Sequence, residues 1–222
     1  MNNNQLYKLS PSDFKYLWEE CKHCFYRKVH FGIIQPSIGM PGIFSKMSKL
    51  LQDSLKDTNP KDLHPDLSNG RFIKTEGFLK SVSIPESNKS FINGRFDLLA
   101  EFDDGSHGLI DVKITDPNDS DLYKFGRQLH AYKFALENPF DESLKIVKSI
   151  TRMGLLIISP KSIEIKDSNP IYHTEPVWFE IEENMPRFFK FISDIEEVLC
   201  GPEPKLSSNC KWCQFKSPEK PF

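Results

Sequence analysis

The chain has 222 residues, with 29 Lys and Arg against 31 Asp and Glu and a net charge of −2. That balance excludes bulk electrostatic attachment to nucleic acid, so any such affinity needs a local basic patch. No apolar run approaches the roughly 20 residues of a membrane-spanning helix, and the length fits one α/β domain over residues 1–222.

Residues 1–9 are polar and Asn-rich, unlike a secretory leader, which predicts a reducing, cytoplasmic location. Residues 11–20 (PSDFKYLWEE) predict an opening helix capped by Ser10 or Ser12, with Phe14, Leu17 and Trp18 inward. The unit Cys21-Lys22-His23-Cys24 follows. Residues 43–56 predict an amphipathic helix with Ile43, Met47, Leu50, Leu51 and Leu55 on its apolar face. The stretch 57–70, rich in Pro and Asn, reads as a loop able to border a substrate channel. Strands are predicted at 71–82, 91–102 and 107–114, then a helix at 119–138. Strands at 151–158 and 175–181 and a helix at 182–199 complete the pattern. The tail 201–222, with Cys210-Lys211-Trp212-Cys213, reads as irregular unless a metal organises it.

The two strands 91–102 and 107–114 hold the chemistry. Ile92, Gly94, Phe96, Leu98, Ala100 and Phe102 alternate with Asn93, Arg95, Asp97 and Glu101, with Leu99 as the exception; Ile110, Val112 and Ile114 alternate with Asp111 and Lys113. Such period-two alternation marks strands with one buried face. Asp103-Asp104-Gly105 suits a three-residue loop, a type I turn with a G1 bulge. That loop pairs Phe102 with Ser106, and therefore Asp97 with Asp111 and Arg95 with Lys113. A two- or four-residue loop would turn one strand's apolar set outward. Facing Cβ atoms lie roughly 4.5–5.5 Å apart, and two carboxylates that close repel unless a cation or a proton intervenes. Mg²⁺ or Mn²⁺, which take oxygen ligands, would resolve the repulsion. Lys113 could then stabilise a phosphate or orient a metal-bound water. By itself the hairpin also suits an ordinary solvated face.

Two flanking features add weight. In the helix at 119–138, Asp119 or Ser120 can cap the start, and Leu122, Phe125, Leu129 and Leu136 form an inward stripe. Gln128 and Tyr132, four apart, share one edge, while Lys124 and Arg127 lie nearby as candidates to meet DNA phosphates. A wider basic patch would add Lys113, Lys133, Lys145, Lys148 and Arg152. The second feature is the pair of CxxC units, a strong signal for tetrathiolate metal binding with Cys200 spare. Disulfides and buried free thiols are the competing readings.

The ordered residues Gly94-Arg95-Phe96-Asp97, Ile110-Asp111-Val112-Lys113 and Gln128 through Tyr132, with the opening 9–21 and the terminal Cys210–Cys213 unit, resemble the RecB-type branch of the PD-(D/E)XK nuclease superfamily. Within it the chain looks like CRISPR-associated single-strand exonucleases and AddB-like nuclease subunits with an iron–sulfur cluster. The resemblance implies an α/β fold, a restriction-endonuclease-like mixed β-sheet flanked by helices, with the N- and C-terminal regions joined by a cysteine metal cluster. It implies Mg²⁺- or Mn²⁺-dependent hydrolysis of DNA, with single-stranded ends favoured. Asp97, Asp111 and the Val112 carbonyl would hold the metal, Lys113 would meet the phosphate or the water, and Gln128 and Tyr132 would position the strand. Cys21, Cys24, Cys210 and Cys213 would hold a [4Fe–4S] cluster; the two-and-two split keeps Zn²⁺ as the alternative. A partner from recombination, repair or a CRISPR-type system is implied without being specified.

The chain departs from that pattern in two respects. The family commonly has one N-terminal and three C-terminal cysteine ligands, so that here Cys24, favoured for its spacing, or Cys200 must complete the set. One ligand of the acidic site is also missing. The family's metal-binding His on a helix before the sheet has no counterpart in the stretch starting at Gly42, and His64 sits in a Pro-flanked loop. Glu76 is the candidate to supply the missing acid. The runner-up function is therefore a DNA-end-binding module with an impaired nuclease site and a structural metal cluster.

Overall fold

The computed structural model describes residues 6–36, 39, 41–85, 88–116 and 122–216. A short strand β1 (Tyr7–Leu9) leads into the helical segments α1 (Pro11–Lys15), α2 (Leu17–Glu20) and α3 (Lys22–Phe31). Next come α4 (Gly42–Leu55), the single turn α5 (Pro60–Leu63), and the strands β2 (Gly70–Ser83), β3 (Ser90–Phe102) and β4 (His107–Ile114). Helix α6 (Leu122–Glu137) crosses over to β5 (Ile150–Lys166), which returns as β6 (Asn169–Glu180). The helices α7 (Met185–Cys200) and α8 (Lys211–Lys216) follow. The sheet is mixed. β1 runs parallel to β3, β2 and β4 antiparallel to it; β5 is parallel to β4, and β6 antiparallel to β5.

The β3–β4 loop takes the geometry its sequence demands. Gly105 adopts φ 78°, and Phe102 N–H donates to the Ser106 carbonyl at 2.9 Å. The register is Leu98↔Ile110, Leu99↔Leu109, Ala100↔Gly108 and Glu101↔His107, as the alternation predicts.

The expectation of one solvated face is corrected. Leu99, Leu109, Leu155 and Ile157 are buried in one core with Phe125, Leu129 and Phe134 of α6. Leu98, Ala100, Ile110, Val112, Leu156 and Ile158 form a second core beneath Leu51 and Leu55 of α4. Leu99 broke the polar alternation because its face is roofed by α6. Each fully buried Leu contributes about 1.5–3 kcal/mol of transfer free energy, and on the same face Asp111 is buried and Asp97 and Lys113 are half-buried, while Arg95 stays exposed.

Several boundaries also differ. The helix expected over 11–20 divides at Tyr16 (φ −95°, ψ −76°) into α1 and α2. Helix α3 was not expected; Cys21 caps its start, with Sγ accepting from Cys24 N–H at 3.4 Å, and Gly32 ends it at φ 67°. The strands expected at 151–158 and 175–181 extend into a long hairpin arm. They meet at a two-residue turn, Asp167-Ser168, whose φ values of 48° and 63° match a type I′ hairpin. Within the tail, Lys211–Lys216 form α8, and the proposed caps Asp119 and Ser120 lie outside the described residues.

Candidate functional site

The β3–β4 ladder stops at Leu98↔Ile110, one pair short of the two aspartates. Beyond that point Asp97 Oδ2 takes the place of a ladder partner, accepting from Val112 N–H at 2.9 Å. Asp111 is 2% exposed, and its Oδ1 accepts from Gln128 Nε2 at 3.4 Å. The same Nε2 donates its second hydrogen to the Tyr132 hydroxyl at 2.8 Å. Lys113 Nζ lies 2.5 Å from Asp111 Oδ2. The two atoms are close enough for an ion pair but poorly directed for a hydrogen bond, so Oδ2 is buried without a well-formed donor. β3, β4 and α6 thus bring Asp97, Asp111, Lys113, Gln128 and Tyr132 into one cluster.

Its charges do not balance. Burial, then the neighbouring Asp111 carboxylate, push the Asp97 carboxyl up to about 7. Burial alone would lower the Lys113 pKa, yet Asp111 and Asp97 outweigh it and hold the ammonium above its ordinary value. Burial and Asp111 together raise the Tyr132 hydroxyl. One ammonium therefore faces two acids, Asp111 buried and Asp97 half-buried, whose oxygens are the donors a hard divalent ion takes. Two acids sharing one ammonium, with the Asp97 carboxyl pushed upward, fit such an ion.

Glu76 lies across from Asp97. The β2–β3 pairs Thr75↔Leu98 and Gly77↔Phe96 bracket it at that position, and it adopts φ 48° in mid-strand. A non-glycine residue there stores on the order of 1–3 kcal/mol of backbone strain. Its carboxylate pairs with Arg95 Nη1 at 3.2 Å. Arg95, expected to face Lys113, turns to β2 instead. The His64 ring accepts from Asp66 N–H at 3.2 Å, and α4 packs on the sheet face opposite α6.

The expected basic patch is largely committed elsewhere. Arg127 pairs with Glu19 and lies 4.2 Å from the Phe191 ring centroid. Lys124 lies 5.6 Å from the Tyr123 ring. Lys133 is buried, 2.7 Å from Glu137 and donating to the Ile150 carbonyl at 2.6 Å, and Arg152 pairs with Glu180. Sequence reasoning missed Lys15 of α1, whose Nζ sits 3.3 Å from the Phe125 ring, the same ring that Lys113 approaches at 5.4 Å. Nothing in the local sequence marked it; only the fold of α1 over α6 brings it there.

The four cysteines form a second centre. Cys21, Cys24, Cys210 and Cys213 are all buried, and their sulfurs lie within 4.8 Å of one another. Cys21–Cys213 measures 3.5 Å, Cys24–Cys213 3.6 Å and Cys24–Cys210 3.9 Å, with no disulfide. Cys24, rather than the exposed Cys200, completes the set. Gln35 Nε2 donates to Cys210 Sγ at 3.6 Å, and Leu17 and Trp212 pack over the sulfurs. Burial raises the Cys24 thiol, which an uncoordinated cluster would keep protonated. Four thiols so close to one another suit a shared metal. His23, inside the first unit, bonds the Pro204 carbonyl at 2.7 Å and is not a fifth ligand.

Comparison with known proteins bears on the family and the fold. A family model described as the PD-(D/E)XK nuclease superfamily matches residues 36–217, which include both aspartates, Lys113 and the second cysteine unit. No curated protein matches the chain. Among solved structures, the crystal structure of SSO0001 is similar in fold, with a TM-score of 0.51 at 15% identity over 97% of this chain and 87% of that one. Among the described residues, no helix is long and apolar enough to cross a membrane.

Proposed function

Because the chain belongs to the PD-(D/E)XK nuclease superfamily, a family of metal-dependent nucleases built on a restriction-endonuclease-like fold, we propose that it is a Mg²⁺- or Mn²⁺-dependent deoxyribonuclease that degrades single-stranded DNA from its ends. The observation that carries this reading is the parting of the β3–β4 ladder at Asp97 and Asp111, which leaves a buried and a half-buried carboxylate against one ammonium.

Asp97 and Asp111 would hold the metal with the Val112 carbonyl. Val112 turns its N–H to Asp97, and a strand residue's C=O points to the same side as its N–H. Glu76, opposite Asp97, is placed to add a further oxygen once Arg95 releases it. A bound divalent ion polarises the scissile phosphate and lowers the pKa of an attacking water. Lys113, kept charged by both acids, donates to a phosphate oxygen. Gln128 fixes the orientation of Asp111, and Tyr132, held by Gln128, lines the approach of the strand. The preference for single-stranded ends rests on the family resemblance, as do cytoplasmic action and a partner from recombination, repair or a CRISPR-type system.

For the cysteines, the sulfur spacing supports a single tetrahedral ion. A Zn–S bond of about 2.3 Å puts tetrahedral sulfurs about 3.8 Å apart; three of the contacts, at 3.5–3.9 Å, match that spacing, and all four sulfurs lie within 4.8 Å of one another. In a [4Fe–4S] cube each sulfur binds a different iron, so the four stand on a wider tetrahedron. We therefore favour Zn²⁺ here.

The test is Mn²⁺-dependent loss of end-labelled single-stranded DNA, with a circular strand as control for end dependence. Wild type is expected to consume the linear strand and Asp111→Ala to leave it intact. Equal degradation by both would falsify the site. The absent histidine and the Arg95–Glu76 pair favour the second reading, a DNA-end-binding module, and wild-type protein that binds ends without cutting would support it.

A further inference from the structure

The surface beside the acidic site carries aromatic and cationic groups that the hydrolytic chemistry does not use. On β2, Phe78 is 78% exposed although it stands between the buried Gly77 and Leu79. Its register partner is Arg95, whose guanidinium lies 4.3 Å from the ring centroid. Two residues further along β2, on the same side of the strand, Lys80 Nζ lies 3.8 Å from the ring of Phe140, itself 64% exposed. Strand residues two apart are separated by about 7 Å, close to the step between bases in a stretched single strand.

Lys80 and Phe140 lie farther along β2, outside a groove of about 670 Å³ that Phe78 and Arg95 line together with Lys8, Lys28, Asn93 and Tyr132 among others. Its floor at Gly94 admits no side chain, since a Cβ there would lie 2.9 Å from Pro11 Cδ and 3.5 Å from Tyr132 Cε1. Tyr132 forms one wall, and its hydroxyl accepts from the Gln128 amide that also reaches Asp111. Groove and acidic pair are therefore continuous through one tyrosine. Arg95 stands two residues from Asp97 on β3, again about 7 Å by the strand rise. Charge in the groove is mixed: Lys28 is balanced by Asp13 at 2.7 Å and Arg95 by Glu76, which leaves Lys8 as the excess, with Lys80 outside the groove on β2.

We propose that this groove is a base-stacking subsite for single-stranded nucleic acid, with one base on Phe78 and the next toward Phe140. The placement of the scissile phosphate at Asp111 and Lys113 rests on the nuclease reading above; the stacking does not. Arg95 covers one face of Phe78 and leaves the other for a base. A duplex base already has both faces stacked, so the subsite selects single strands. Sequence tolerance follows because every base offers a π-face.

The test is binding of a short fluorescein-labelled oligothymidylate to the full chain without added divalent metal, followed by anisotropy, beside a blunt duplex of the same length. Phe78→Ala is expected to weaken single-strand binding about tenfold, and Phe78→Trp to restore it. Phe140→Ala is expected to give a smaller loss, and duplex binding to stay unchanged by all three. Wild-type affinity in Phe78→Ala, or an equal loss toward duplex, would overturn the subsite. The two readings fail separately. If wild type cuts, Asp111→Ala does not, and Phe78→Ala binds normally, the groove falls and the nuclease stands. If nothing cuts but the Phe78 series behaves as described, the groove stands alone.

Discussion

The cysteine cluster and the acidic pair pose one problem, like groups crowded together, and the fold answers it in two ways. The cysteines arrive as two CxxC units at the starts of α3 and α8, four identical soft donors, all buried, with Leu17 and Trp212 over them. The aspartates arrive from neighbouring strands whose ladder has just parted, with Lys113 at 24% exposure beside them and a groove leading in past Tyr132. A full set of four donors under a lid leaves no room for a reactant, whereas a short set of hard donors with an entrance does. On the proposed reading, the first centre holds the molecule together and the second acts on a substrate.

Breaking the open centre is expected to have the largest effect. Asp111→Ala removes the donor that Lys113 and Gln128 both engage. It should lower the rate of metal-dependent DNA degradation about a thousandfold or more, the loss of several kcal/mol of charge stabilisation in the transition state. Melting temperature, read by circular dichroism, should not fall, because a buried charge is removed. A fall of many degrees would mean that Asp111 is structural.

The closed centre should fail in the opposite manner. Cys210→Ala removes one of the four sulfurs of a clip in which Cys24 and Cys210 are 186 residues apart, and closure of so long a loop is worth about 5 kcal/mol by the entropy model. For a chain of this length that lowers the melting temperature by on the order of 10 °C. Cleavage measured well below the transition should persist, since no cysteine touches the aspartates. Metal analysis of the wild type should return one zinc per chain and a colourless protein. Brown protein with visible charge-transfer bands would replace zinc by an iron–sulfur cluster without disturbing the comparison.

A smaller change sharpens the role of α6. Gln128→Ala deletes the amide shared by Asp111 and Tyr132. A hydrogen bond to a charged group is worth about 1.5–3 kcal/mol, so cleavage should slow by about tenfold or somewhat more while metal affinity changes little. Tyr132→Phe should cost less, because it keeps the ring that walls the groove. Equal, full loss in both variants would point to a folding defect in α6.

How far the sequence revealed this depends on the range of the forces involved. The β3–β4 register was legible because loop length and alternation are both local and have to agree; the Asp103-Asp104-Gly105 loop left one parity open. The cysteine grouping was legible because a two-residue spacer has one common use. The roof over Asp97 was not, since α6 reaches it through a crossover that alternation in β3 does not encode; Leu99 was the visible trace. The hairpin arm beyond residue 158 was missed because Pro160 interrupts the strand signal, and an edge pair tolerates that proline. Glu76 was named as an acid, but its pairing with Arg95 and its φ of 48° depend on the β2 register. The Phe78–Arg95 contact depends on it as well.

The finest contrast between the two centres lies in the metal-free protein. Asp97, pushed up to about 7 by burial and by Asp111, starts from an ordinary value near 4 in the unfolded chain. Between those values the folded state binds more protons than the unfolded state, so stability falls as pH rises through that window. The metal-free melting temperature should therefore decline from about pH 4 toward pH 7, and Mn²⁺ at pH 7 should recover it by binding only the folded form. Asp97→Asn isolates the cause, because its amide oxygen can still accept from Val112 N–H while carrying no charge. Its profile should be flatter over the same window and its response to Mn²⁺ smaller. Identical slopes in the two proteins would place the repulsion elsewhere and remove the physical reason for a cation between the strands.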